Sequence, residues 1–290
     1  MMKKASLRTQ AWAISLVLLA CLLAIWSGLT ASSSASSAAA AMTPEQIEYL
    51  QLLGKSADGD GANKSGFPSP SEFGTAVVQH LSQPFYDNGP NDKGIGIQLG
   101  WSLLRVAAGF LLACLVAIPL GFVIGMSPLL YKALDPFIQV LKPISPLAWM
   151  PLALYTIKDS SASGIFVIFI CSVWPMLVNT AFGVAGVKRD WLNVAHTLEV
   201  SPLRKALQVI LPAAAPTIFT GMRISMGIAW LVIVAAEMLV GGTGIGYFLW
   251  NEWNNLSLTN VLFAILTIGV VGMLLDQTFA HLQKKVTYVE

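Results

Sequence analysis

The chain has 290 residues, of which 55% are apolar and 11% charged. Charged residues make up about a quarter of an ordinary soluble domain, so this composition excludes a water-soluble globule. A net charge of +2 with no long basic stripe argues against a nucleic-acid partner. Cys21, Cys114 and Cys171 fall in apolar stretches, which argues against a disulfide framework or a metal cluster.

A membrane span needs about 20 mostly apolar residues, because hydrocarbon offers backbone N–H and C=O groups no partner. Six stretches qualify: Ala11 to Thr30, Leu99 to Met126, Phe137 to Ile157, Gly164 to Val187, Ala213 to Val240, and Leu258 to His281. The first follows Lys3, Lys4 and Arg8 and resembles a secretory signal, but it reaches full span length and reads as an uncleaved anchor. Arg105 interrupts the second span, so its outer end is expected to be an interfacial turn. Pro143, Pro146 and Pro151 should kink the third. The fold class is therefore an all-α, polytopic membrane helical bundle with about six transmembrane helices. Its parts are a cytoplasmic N-terminus and first helix (1–31), a linker and periplasmic segment (32–95) and a transmembrane core (96–290).

With the N-terminus inside, inner segments carry ten Lys and Arg and outer segments four, the other three lying within spans. The positive-inside rule then puts both termini in the cytoplasm of an inner-membrane protein. Within 32–95, a serine- and alanine-rich linker precedes a short helix expected over Thr43 to Leu53. Asp58-Gly59-Asp60-Gly61 lacks the later acids of a calcium loop and reads as a turn. Pro68-Ser69-Pro70 marks a turn before a weakly periodic stretch, Phe73 to Leu81.

The loop between the fourth and fifth spans, 188–212, has the patterning of two short amphipathic helices. Asp190 is a candidate N-cap, and Trp191, Val194, Ala195 and Leu198 share one helical face. Ser201-Pro202 stops that helix and starts another, whose stripe of Leu203, Ala206, Leu207 and Ile210 ends at Leu211-Pro212. Two helices at a bend on the cytoplasmic side suit a lever that docks into a groove on a partner.

The segment from Asn193-Val194-Ala195 to Val209-Ile210-Leu211-Pro212 resembles the EAA loop of binding-protein-dependent ABC transporter permeases. The family pattern is Glu-Ala-Ala, three residues, Gly, nine residues, then Ile-x-Leu-Pro. Here Asn193, Val194 and Glu199 replace its glutamate, first alanine and glycine, and Val209 its isoleucine, while Ala195, Leu211 and Pro212 match. The absent glycine would ease the bend, which Ser201-Pro202 can supply instead. Further stretches, including Pro146 to Pro151, Trp174-Pro175, Ala235-Ala236-Glu237 and Val240 to Asn255, resemble the branch that carries nitrate and nitrite, cyanate, bicarbonate, or taurine and other sulfonates. Nitrate permeases look nearest.

The resemblance implies a type I ABC importer permease fold and a set of partners. Two permease copies would pair, as a homodimer by expectation; two ATP-binding cassette subunits would dock on the 188–212 loops; and an extracytoplasmic substrate-binding protein would deliver the anion. The chain contains no Gly-x-x-x-x-Gly-Lys-Ser/Thr loop, so ATP and magnesium are expected in the partner subunits and no catalysis or cofactor in this chain. Gly54-Lys55-Ser56 lacks the upstream glycine. Gly241 to Gly246 lacks dinucleotide-loop spacing and reads as a flexible outer turn.

Ionisable residues inside a bilayer usually face a cavity or a partner. Glu237 and Arg223 are thus candidates for the pathway or gate, against the alternative of helix packing. Arg105 and Lys142 are expected to snorkel, Asp276 to pair with the basic C-terminal end, and Trp101, Trp149, Trp230, Trp250 and Trp253 to lie at the membrane interfaces. An ion-gradient-driven secondary transporter is the rival class; it would show internal repeats and paired broken helices.

Overall fold

A computed structural model describes residues 7–37, 67–89 and 92–286. The helix expected over Thr43 to Leu53 and the turn at Asp58 to Gly61 lie outside these residues. The chain divides into two units.

The first unit comprises Met1–Ser82 and Asn255–Phe263. Its helix α1 (Leu7–Ser37) carries a span-length apolar stretch, Gln10–Thr30, with almost every side chain exposed. Trp26 closes the stretch: its Nε1–H donates to the Pro68 carbonyl at 2.9 Å and its ring meets Phe67 and Phe73. Helix α2 (Pro70–Ser82) starts at a reciprocal cap. The Ser69 N–H donates to Glu72 Oε2 at 2.9 Å and the Glu72 N–H to Ser69 Oγ at 3.3 Å, which satisfies two otherwise orphaned donors. His80 stacks on Phe263 with ring centroids 4.7 Å apart and shares a hydrogen bond with Asn260.

The second unit comprises Gln83–Asn254 and Ala264–Glu290. Its centre is three long helices: α3 (Ile95–Met126), α6 (Ser160–Ala185) and α9 (Leu211–Val240). They approach closely because small residues face each other, as lipid-buried helix contacts require. A methyl group added to Gly109 would come within 2.7 Å of the Ile168 side chain, and one on Gly121 within 2.8 Å of the Leu177 carbonyl. Gly221 of α9 lies in the same way against Asn179 of α6. The Ser225 hydroxyl donates to the Ser172 carbonyl at 2.7 Å, satisfying a polar group where water is absent.

Two expectations are corrected. Helix α3 starts at Ile95 and runs through Arg105 without a turn, because Arg105 has internal partners, described below. The third span is not one kinked helix but two, α4 (Pro128–Leu141) and α5 (Pro146–Ile157), bent by 88°. Pro143 and Pro146 lack the N–H groups that would carry α4 onward. The residue before a proline is also pushed out of the α region: Ser145 is extended, with φ −58° and ψ 134°.

Beyond α6 come α7 (Arg189–Thr197) and α8 (Pro202–Lys205), the latter running through a π turn, Ala206–Ile210, into α9 as one 39-residue rod. Helices α10 (Ile245–Asn254) and α11 (Leu258–Val286) follow. Among the described residues, five helices are long and apolar enough to cross a membrane, or six if the bent α4–α5 pair is one span. The chain is a multi-pass, all-helical membrane protein.

Candidate functional site

The 188–212 segment is built as a rigid corner. Helix α7 begins after Lys188, so Asp190 lies in its first turn and is not the cap; a carboxylate there still complements the helix dipole. Its end is a Schellman motif: the Val200 N–H donates to the Ala195 carbonyl at 3.1 Å and the Glu199 N–H to the His196 carbonyl at 3.0 Å. That motif needs a left-handed residue, and Glu199 supplies it with φ +53°. The bend therefore sits at Glu199, where the family pattern has glycine, and not two residues later. Ser201 precedes α8 as its N-cap without a side-chain hydrogen bond, and Pro202 takes the first helical position.

The second stripe does not end at Leu211-Pro212. Proline cannot donate and its ring crowds the carbonyl four residues back; the π turn at Ala206–Ile210 widens the helix there and lets the rod continue. Ala195 and Ile210 are buried, and Leu192, Ile210 and Leu211 pack with Val184, Ala214 and Ile218. Ala206 is half-buried, and the other members of both stripes face outward: Val194, Leu198 and Leu203 are 59%, 70% and 71% exposed, and Trp191 and Leu207 are also exposed. Asn193 and Pro212 are also exposed, whereas Val209 is half-buried. The corner is thus anchored on one side and apolar on its open side.

Glu237 is the hub of a buried polar knot. Its carboxylate takes the Arg105 guanidinium at 2.7 Å, the Ser102 hydroxyl at 2.8–2.9 Å and the Gly246 N–H at 3.0 Å. Arg105 also donates from Nη1 to the Thr243 carbonyl at 2.6 Å and from Nε to Ser161 at 2.8 Å. Gln98 accepts the Gly244 N–H at 2.6 Å and Ser102 the Ile245 N–H at 2.9 Å. The turn 241–246 is therefore bound to α3 and α9 by its own backbone, which corrects the expectation of a flexible loop. Its glycines are required: Gly241, Gly242 and Gly244 have positive φ, and a methyl group on Gly244 would fall inside the Glu237 carboxylate. Arg105 does not snorkel. Sequence reasoning singled out Glu237, with helix bracing weighed against a gate, but missed its partners Arg105 and Ser102 and the neighbouring Gln98; the available signal was the spacing of 98, 102 and 105, one face of α3.

Arg223 lies about 21 Å along α9 from Glu237, so the two gate candidates do not share a site. Arg223 makes a two-pronged bond to Asp276 of α11, both contacts 2.6 Å. Asp276 is thus not paired with the basic C-terminal end. Both side chains are largely exposed, at 40% and 52%. Two turns further along α9, Trp230 is buried and donates to the Ile268 carbonyl at 2.9 Å, so it braces α9 against α11 and is not an interfacial belt residue. Trp101 lies under Arg105, 5.8 Å from ring centroid to guanidinium.

The sequence profile of the "binding-protein-dependent transport system inner membrane component" family matches residues 117–288, a stretch that contains the whole 188–212 corner. The chain belongs to this family. Among curated relatives, the permease is 45% identical to the nitrate import permease protein NrtB of Synechocystis sp. over 80% of its own length and 83% of the relative's. It is 46% identical to the bicarbonate transport system permease protein CmpB of the same organism, over 75% and 79% of the two chains. In fold it matches a chain of the inward-facing MetNI methionine ABC transporter with a TM-score of 0.58 at 13% identity, over 65% of this chain and 94% of that one. The type I importer permease fold stands on this likeness.

Proposed function

We propose that the permease provides the membrane pathway of an ATP-driven importer for a small oxyanion, nitrate or nitrite first, and that residues 188–212 are where the ATPase engages it. The observation that carries the coupling assignment is the outward strip of Trp191, Val194, Leu198, Leu203 and Leu207. This strip sits on a corner locked by a Schellman motif and continuous with a membrane-length rod. A surface of that kind is costly to leave in water and suits a groove on a partner. Any displacement of the corner is carried into α9, which bears Arg223 and Glu237.

Both termini then face the cytoplasm, two copies of the permease pair, and an extracytoplasmic protein presents the anion. Nitrate is favoured by the identity to NrtB relatives. Bicarbonate is the second reading, favoured by the near-equal identity to CmpB relatives. Glu237 acts as an outer brace and not as an anion ligand, since its carboxylate is saturated by donors from α3 and the glycine turn. Arg223 and Asp276 are the pathway candidates, because an exposed ion pair inside a span belongs on a wet surface and not against lipid.

The test is ATP hydrolysis by the complex of permease, ATPase and binding protein in proteoliposomes, challenged with nitrate, nitrite, bicarbonate, cyanate and taurine. Stimulation by nitrate and nitrite alone is the expected result. Stimulation by bicarbonate alone would assign the substrate to the second reading, and absence of ATPase association would refute the importer assignment.

A further inference from the structure

A half-open cleft of about 430 Å³ lies where four elements end at one level. Gly125 and Met126 close α3, Tyr131 and Lys132 stand in the first turns of α4, Val184 and Ala185 finish α6, and Lys205 and Ile210 border the π turn. Because α3 and α6 are both span-length, their shared end marks the boundary between hydrocarbon and headgroups. The cleft is mostly apolar, two lysines, Lys132 and Lys205, are among its lining residues, and none of those residues is acidic. Among the described residues, neither lysine meets a carboxylate.

We propose that this cleft seats an anionic phospholipid of the cytoplasmic leaflet, with the phosphate held by Lys132 and Lys205 and the start of an acyl chain against Met126, Val184 and Leu192. The proposal rests on the cytoplasmic orientation given above. Charge complementarity decides the occupant: a mostly apolar cleft with two lysines at headgroup level matches an amphiphilic anion, whereas a zwitterionic lipid would bring its own ammonium group to the same lysines. The seat is not remote from the mechanism. Leu192 and Ile210 belong to the cluster that anchors the 188–212 corner, so an occupied cleft adds packing beneath the lever. A basic side chain near an anionic surface is worth a factor of about five in affinity, so removing both lysines should have a large effect.

The experiment uses the full complex in nanodiscs with photoactivatable phosphatidylglycerol or phosphatidylcholine, followed by peptide mapping. Phosphatidylglycerol is expected to label residues around Met126 and Leu192, and Lys132→Gln with Lys205→Gln to reduce that labelling about tenfold or more, with arginine at both positions restoring it. Should the glutamine variant fail to assemble, the wild-type complex alone decides the matter. Equal labelling by phosphatidylcholine, or loss of labelling on adding excess inorganic phosphate, overturns the proposal, the second result assigning the seat to a free anion. Labelling of the permease alone but not of the complex also overturns it, making the cleft an ATPase contact. Cysteine accessibility of the 188–212 segment in sealed vesicles reports the orientation separately.

Discussion

Glu199 holds the bend of the 188–212 segment in a conformation that costs a residue with a Cβ about 1–2 kcal/mol, yet that conformation lets Glu199 and Val200 make both hydrogen bonds of the motif. Glycine at that position should therefore be tolerated, with uptake retained, whereas valine, branched at Cβ, should weaken the corner and lower coupled uptake several-fold. Equal activity of Glu199→Gly and Glu199→Val would contradict the bend assignment. The same reasoning by partners applies to Glu237. Removing one member of a buried, hydrogen-bonded ion pair costs about 3–5 kcal/mol, because the other charge is left without compensation. Arg105→Met and Glu237→Met singly should each lower the thermal unfolding midpoint of the purified permease more than the double variant does. Additive losses would show that the two residues act independently. Sequence reasoning could name Glu237, since an acid in a span is conspicuous, but the partners required three-dimensional proximity between residues more than a hundred positions apart.

Helix ends in this protein are decided by proline chemistry, and the outcome depends on what surrounds each ring. Pro143 and Pro146 split the third span, where the chain leaves the α region at Ser145 before Pro146, whereas Pro212 is absorbed by a π turn and Pro119 and Pro175 lie inside unbroken helices. Apolar runs were enough to find the spans, because length and desolvation are local properties of sequence. Whether a proline breaks or merely perturbs a helix depends on packing from other elements, so the 88° corner and the continuous rod were not legible. The small-residue contact between α3 and α6 makes its own prediction. Gly121→Val should destabilise the permease by about 1–3 kcal/mol through overpacking, read as loss of the monodisperse species in detergent. The pair between α9 and α11 makes another. Asp276→Asn should reduce transport, and the exchanged pair, Arg223→Asp with Asp276→Arg, should recover assembly; an exchanged pair no better than the single variant would mean the contact has no structural role.

Taken as a whole, the molecule places an anchored, apolar-faced corner at one end of a 39-residue rod and a buried polar knot near the other. That arrangement suits a part that receives movement at one end and holds a closed turn at the other. The EAA-like spacing made the corner's location readable despite four departures from the family pattern, because the spacing reflects the helix–bend–helix geometry more than any single side chain. The nitrate branch was legible through resemblance, as in Val240 to Asn255, and not through a binding site: the knot around Glu237 is saturated internally, and Arg223 is paired with Asp276. The central claim is that ATP-driven movement reaches the pathway through residues 188–212. ATP-dependent accumulation of isotope-labelled nitrate in proteoliposomes, compared between the wild-type complex and Ala195→Pro, tests it most directly. Proline at 195 removes a helical hydrogen bond in the last turn of α7, where the Schellman motif begins, without touching the spans, so the account predicts an inserted, dimerising permease whose uptake falls to background. Uptake at the wild-type rate would contradict the claim.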